Sequence, residues 1–480
     1  MQIDPVGIAL MAILLLVGAL FRAPISVALF AAMPFGATAV AALTALGGAS
    51  LMLFTPLTGL LIAYAMLRKT AVADLRTVYS DHWSASLITL LVVYVVAGAV
   101  ILPRLFAGDT TVFVPGVDKV IEVPLMPVPG NINQSGYFVA DALAFFAFSI
   151  LLLRTSYFSV LKTALLAFAV VHASLCLIDL AGKLAGAGDV LAFLRTSGYS
   201  MLTEVQAEGF WRIVGAYPEA SICSAATATA FAFTFSYWRA TGSRPTLALT
   251  AVLGMLLVLS TSTTGYVVLA ALILAFLFGV LARTANQRLE SRDLWVVTIA
   301  IIGGVAMFAL VLSNDSALNS FARLLEGSIV EKASSSSAAE RFYWNYKSLM
   351  AFVDTGGLGV GLGSSRASSW MIAVLSQLGA FGAIALGLLT WQVLRPVSTG
   401  SPPAEYAEIA AICQGIRSAT FASLVAMLIS GGNADPGVLF FMALAALIAG
   451  RKLLDRRQVP AMRASPYWDI DAGASLSPAR

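Results

Sequence analysis

Charge is scarce in this chain. Asp, Glu, Lys and Arg make up 11% of the 480 residues, where a soluble protein carries roughly 25%. An ordinary soluble domain is therefore excluded, and none is evident anywhere along the chain. Histidine is nearly missing: His82 and His172 are the only two. Neither H-E-x-x-H nor G-x-S-x-G occurs, so the usual metalloprotease and serine-hydrolase signatures are absent. No Gly-Lys-Ser/Thr loop is present, which excludes a pump driven by ATP. There are three cysteines, Cys176, Cys223 and Cys413, all in or beside apolar runs. Their spacing suggests no metal site, and buried thiols are the expectation.

Apolar residues fill the space that charge leaves, at 59% of the chain. Thirteen apolar runs recur, roughly at 5–20, 25–45, 50–67, 84–102, 137–153, 160–182, 218–238, 246–260, 263–282, 294–313, 368–391, 417–431 and 436–450. Runs of about 17–25 residues are the mark of membrane-crossing helices. The first run follows "MQIDPVG", which lacks a basic leader, so it reads as a membrane anchor and not a secretory signal. The expected organisation is one transmembrane domain over 1–455 and a tail over 456–480.

Basic residues set the expected orientation. With the C-terminal tail inside, 19 of the 29 Lys and Arg fall in inner segments and 10 in three longer outer loops, near 103–136, 183–217 and 314–367. The N-terminus is then outside and the C-terminus cytoplasmic. The stretch "GGLGVGLGSSR" (356–366) faces outward. It contains no G-x-G-x-x-G, and ATP and NAD are not available on that side, so its phosphate partner, if it has one, is not a nucleotide.

Three outward arginines stand beside glycine turns or carboxylates. "EGFWRIVGAYPEAS" (208–221) holds Glu208, Trp211, Arg212 and Glu219 where a loop enters a span. Pro218 suits the first turn of that helix, and Glu219 its positive end. "SSSSAAERFYWNYKSL" (334–349) holds Glu340, Arg341, Tyr343, Trp344 and Lys347, and Arg366 closes the glycine stretch. Two readings stand for each group. Trp and Tyr anchor chains at membrane interfaces, and glycines let helices approach closely. Arginines on the side where cations are fewer also suit an anionic ligand, because the guanidinium fork bonds phosphate twice. Asp141 and Asp179, near outer span ends, read either as ion sites of a transporter or as partners of nearby polar groups.

Four motifs stand in order: Arg212-x-x-Gly215-x-x-Pro218-Glu219-x-Ser221, "LSTSTTGYVVLA" (259–270), Glu340-Arg341, and "GLGVGLGSSR". Together they resemble the O-antigen ligase and polymerase family of bacterial membrane glycosyltransferases, and within it the exopolysaccharide polymerase branch. The likeness covers roughly 205–450. It implies an all-α polytopic fold of about 12–14 transmembrane helices with long periplasmic loops, similar to the integral-membrane C-type glycosyltransferases. The implied location is the inner membrane, and the implied substrate an undecaprenyl-diphosphate-linked glycan. Neither metal nor other cofactor is implied, and no nucleic acid. Membrane lipids, a chain-length regulator and export machinery are the expected partners.

By the same resemblance Arg212 and Arg341 match arginines that contact the diphosphate, and Arg366 lies in the segment that closes the site. The ligase branch carries a histidine shortly after the glycine motif. Here 364–379 has none, which favours a polymerase over a ligase and leaves the general base open. The candidates for that base are Glu219, Glu340 and Glu208. Tyr343 is a candidate hydrogen-bond donor, Trp211 and Trp344 are candidate sugar-stacking rings, and Thr261–Thr264 are candidate hydroxyl donors. The competing expectation is a transporter or flippase for an anionic lipid-linked glycan, using the same arginines without chemistry.

Overall fold

The computed structural model describes residues 2–43, 49–115, 120–198, 206–207, 210–287, 290–312, 336–397 and 403–463. The chain begins with β1 (Gln2–Ile3), α1 (Pro5–Leu20), α2 (Ile25–Ala32), β2 (Ala39–Leu43) and β3 (Ala49–Met52). Next come α3 (Phe54–Met66), α4 (Ala71–Asp81), α5 (Trp83–Leu105), the hairpin β4 (Thr111–Pro115) and β5 (Val120–Pro124), α6 (Pro129–Leu152) and α7 (Tyr157–Leu184). After β6 (Gln206–Ala207) and β7 (Phe210–Trp211) follow α8 (Ala220–Thr241), α9 (Arg244–Leu259), α10 (Thr263–Ala285) and α11 (Ser291–Leu312). The last helices are α12 (Ser336–Asp354), α13 (Trp370–Leu394), α14 (Ala407–Ser430) and α15 (Val438–Arg463).

The protein is a mostly helical, multi-pass membrane protein. Among the described residues six helices are long and apolar enough to cross a bilayer: α5, α6, α7, α10, α13 and α14. Shorter apolar helices are α1, α3 and α9. This is compatible with the expected all-α membrane fold, to which β1–β2–β3, β4–β5 and β6–β7 add small antiparallel sheets. One expectation needs correction: the apolar run at 25–45 is not one helix. Pro34 lies one residue past the end of α2 and has no N–H to donate to the Phe30 carbonyl, so the helix cannot continue through it. The chain then turns into β2, which pairs with β3.

Helix ends sort into two layers. At one end Lys162 pairs with Glu408 at 2.6 Å, Arg283 with Asp293 at 2.6 Å, and Lys452 with Asp81. The other end carries the β4–β5 hairpin, the loop residues 185–198 and 212–219, and the glycine stretch. Between them α8 packs along α14, where small residues allow close approach: Gly415 lies on the Phe233 ring, and Ser236 meets Ser418 at 3.0 Å.

The glycine stretch lies against a break in α13. Gly379 inside that helix has φ +64° and ψ −167°. The open turn exposes backbone groups that lipid could not satisfy, and 357–363 satisfies them. Val360 N donates to Ser376 O at 2.7 Å, Gly361 N to Gln377 O at 3.0 Å, and Ala380 N to Gly357 O at 2.9 Å. Tyr94 of α5 donates its hydroxyl to Leu378 O at 3.0 Å. Asn131 at the start of α6 donates to Leu362 O at 2.8 Å and to Ser364 Oγ at 2.7 Å. The glycines are needed because backbones touch. Gly359 has φ +84°, and a Cβ there would sit 2.7 Å from Gly379 N. A Cβ on Gly363, at φ +80°, would overlap the Gly130 carbonyl.

Two substitutions separate conformation from contact. Gly356 also has positive φ, but nothing lies within 4 Å of its Cβ position. Gly356→Ala should cost about 1 kcal/mol, the left-handed penalty alone. Gly363→Ala should cost on the order of 3 kcal/mol. The apparent Tm of the purified proteins in detergent measures the difference, and equal losses would mean the Gly130 contact is not made.

Candidate functional site

A buried charge network on α7 shapes the loop that carries Arg212 and Glu219. Asp179 and Lys183 are one helical turn apart and pair at 3.0 Å, with side chains 0% and 3% exposed. Asp179 Oδ2 also accepts from Val214 N at 2.8 Å and from Gly215 N at 3.1 Å. Lys183 Nζ donates to Arg212 O at 2.7 Å. Arg195 donates to Gly215 O and, at 3.1 Å, to Tyr217 O, and it pairs with Asp189. Of the two readings of Asp179, partner to nearby polar groups is the one the geometry displays.

The loop thus held brings two ionisable side chains, Arg212 and Glu219, within electrostatic reach of one another. Glu219 is the residue before the first turn of α8, extended at φ −154°, and accepts a hydrogen bond from Ser221. Arg212 is half-buried, and its Nε has no hydrogen-bond partner in the described structure. Burial pushes the Arg212 guanidinium pKa down, and the nearby Glu219 carboxylate and Tyr266 oppose that shift. The "LSTSTT" segment forms the turn between α9 and α10. There Ser262 accepts from Ser224 of α8 at 2.8 Å, and Thr261 adopts φ +47° with its buried hydroxyl unpartnered. A non-glycine residue in that region is uncommon and strained. Trp211, beside Arg212, is 39% exposed. Glu208 lies outside the described residues.

The second expected group assembles around Phe113 of the hairpin. Its ring meets Tyr343 at 5.7 Å and Trp344 at 6.1 Å, and its carbonyl accepts from Arg366 N at 2.9 Å. Tyr343 donates to Glu122 at 3.1 Å, and Lys347 pairs with Glu122 at 2.9 Å. Hydrogen bonds from Thr111 and Lys347 pull the Glu122 carboxyl below its ordinary range. Trp344 therefore packs against a ring of the protein, and the Tyr343 hydroxyl is engaged. Glu340 and Arg341 are exposed on α12, and among the described residues neither has an ion-pair partner. Arg366 is exposed, and its side chain runs along Gly432 in the turn between α14 and α15. Both groups sit at the same end of the bundle, yet no contact among the described residues joins Arg212 to Arg341 or Arg366.

The glycine stretch does not offer its amides to an anion. Gly357, Gly359, Val360, Gly361 and Gly363 all donate to acceptors within the protein. Any anion held here would rest on arginine side chains.

Sequence reading missed Asp435. It lies three residues beyond Gly432 and hydrogen-bonds Asp141 of α6, while Gly437 N donates to its Oδ1 at 2.9 Å. Burial pushes the Asp435 carboxyl up to about 6. Two acids meeting from positions 141 and 435 leave no local signal beyond the intramembrane Asp141. No protein-family model matches the chain, and no curated protein matches it significantly.

Two outcomes follow from these charges. Asp179→Ala leaves Lys183 and Arg195 buried without their shared anion and should cost about 3–5 kcal/mol. Hydrogen exchange should rise at 212–217 more than elsewhere, and unchanged exchange there would count against the network. Asp435 carries a folded pKa above its ordinary 3.8, so the folded state holds more protons than the unfolded between pH about 4 and about 6. Stability is favoured below that window and falls as pH rises through it. Asp435→Asn should lessen this fall, read as the change in apparent Tm between pH 4.5 and 7, with the Asp141 carboxyl that remains accounting for the rest.

Proposed function

We propose that the chain is a polysaccharide polymerase joining undecaprenyl-diphosphate-linked repeat units at the outer face of a bacterial inner membrane, with a periplasmic N-terminus, a cytoplasmic C-terminus and about 12–14 spans. One observation carries the reading: Arg212 is half-buried with an unpartnered Nε beside the Glu219 carboxylate. A guanidinium with donors to spare next to a carboxylate suits a reaction that needs an anion stabilised and a proton taken.

In that reaction an acceptor hydroxyl attacks the anomeric carbon of the donor sugar. The bond from that carbon to the diphosphate oxygen breaks, and the diphosphate leaves with the electron pair. Arg212 stabilises the departing charge, with Arg341 and Arg366 on the same end of the bundle completing the anion site. Glu219 takes the hydroxyl proton; Glu340 is the second candidate. Trp211 offers a partly exposed face to a sugar. Nothing in the chemistry calls for a metal at the diphosphate.

A transporter or flippase of an anionic lipid-linked glycan is the second reading, and the Asp141–Asp435 pair favours it, since paired acids serve proton coupling. An O-antigen ligase remains the nearest enzymatic alternative.

The test is a reaction of purified protein with undecaprenyl-diphosphate-linked repeat units, without nucleotide and with EDTA present. A ladder of longer lipid-linked glycans is expected. It should vanish in Arg212→Ala and in Arg341→Lys, which keeps charge but loses the fork. Glu219→Gln should slow turnover ~10²–10⁴-fold, and near-normal turnover would remove Glu219 as the base. Movement of the labelled lipid across a liposome membrane without any ladder would decide for the transporter.

A further inference from the structure

Beneath the Arg212–Glu219 loop, α7 and α8 bring together three soft ligand atoms. His172 and Cys176 are one turn apart on α7, and Cys223 lies in the first turn of α8. All three are buried, at 0%, 0% and 1% exposure. Cys176 Sγ is 3.6 Å from His172 Nε2 and 3.5 Å from Cys223 Sγ, and the three ligand atoms lie within 4.8 Å of one another. Thr227 Oγ1 is 2.8 Å from the same His172 Nε2.

We propose that His172, Cys176 and Cys223 bind one zinc ion between α7 and α8, with the Thr227 hydroxyl at the fourth position. Zinc–sulfur bonds of about 2.3 Å at tetrahedral angles set ligand sulfurs about 3.7 Å apart. The two spacings to Cys176 lie within a few tenths of an ångström of tetrahedral values, and His172 Nε2 and Cys223 Sγ, within 4.8 Å of one another, close the remaining distance on binding. The ligand set is the borderline-soft N and S set that zinc prefers. Its charge also fits the site: two thiolates and a neutral imidazole cancel the two positive charges of Zn²⁺. A monovalent copper ion would leave a net negative charge buried among helices, which is costly. Binding displaces one proton from each thiol and exchanges no electrons.

The surroundings fit this role. A metal-bound histidine donates its second ring N–H to an outer partner, and the Tyr217 hydroxyl stands 3.5 Å from His172 Nδ1. Tyr217 belongs to the loop that carries Arg212 and Glu219. Gly215 of the same loop rests on both sulfurs, its Cβ position 3.4 Å from Cys176 Sγ and 3.5 Å from Cys223 Sγ. The ion is structural. It ties two helices together under the loop, away from the Arg212 side chain, and its buried position keeps it from chelators in the folded protein.

Metal content of the full chain, purified in detergent from zinc-supplemented cells and passed through EDTA, tests the proposal by elemental analysis. About one zinc per chain is expected in the wild type and in Cys413→Ser, whose thiol lies outside the cluster. Cys176→Ser and Cys223→Ser should retain less than a tenth of that. Cobalt substitution should add thiolate-to-metal charge-transfer absorption, absent in either variant. Should the variants fail to fold, the wild-type stoichiometry decides alone. Folded wild type without stoichiometric zinc overturns the proposal, whether Cys176 and Cys223 are then recovered as free thiols or as a disulfide. The readout is independent of glycosyl transfer.

Discussion

Within a bilayer every backbone N–H and C=O must find its partner inside the protein, and the non-helical parts of this fold are arranged around that constraint. The open turn of α13 at Gly379 survives because 357–363 runs against it as an extra strand would. The loop at 212–217 survives because Asp179, Lys183 and Arg195 bond its amides and carbonyls. Arg451 does the same at the other end of α13, donating to the carbonyls of Gln392, Val393, Arg395 and Pro396. Charged groups that would be costly in lipid are thus committed to the backbone, and their positions mark where helix gives way to loop.

That commitment divides the arginines. Arg195 and Arg451 have their donors bound to carbonyls and are held by them. Arg212 keeps an unpartnered Nε, and Arg341 and Arg366 are exposed. The division matters because an arginine already bonded to several carbonyls cannot take up an anion without leaving a buried carbonyl unpaired, at about 1–3 kcal/mol each. Among the described residues Arg212, Arg341 and Arg366, the three that stand beside turns and carboxylates in the sequence, carry no such commitment to backbone carbonyls.

Long periodic features were legible in the sequence, and long-range meetings were not. The six span-length helices fall on apolar runs because a span's length and apolarity are local properties. Gly379 sits in an unbroken run at 368–391, so the break in α13 carried no hydropathy signal; a lone glycine was its only trace. The turn after α2 was marked by Pro34 and overlooked because apolar residues continue to 45. The closeness of Arg212 to Glu219 was legible from a seven-residue spacing and Pro218. Asp179 reaching Val214 was not, nor Cys223 reaching Cys176, nor Asp435 reaching Asp141. Each pair is joined by helix packing and by no pattern in either segment. The partner of the glycine stretch was hidden for a related reason: glycine content shows that a backbone can be approached closely, and here another backbone fills that role.

The held state of α13 also bears on the choice between transferase and transporter. Broken helices occur in transporters, where they line a site that rocking domains expose to either side. Such motion needs a break whose neighbours can separate. In this protein the break is bonded to the glycine strand, to Tyr94 of α5 and through Gln377 to both Gly363 and Ser365. The strand is bonded in turn to Asn131 of α6. Separating α13 from α5 and α6 would break all of these hydrogen bonds together. A fixed scaffold that presents exposed arginines suits the proposed transferase better than the transporter, because the reacting atoms of a transferase must be held in place.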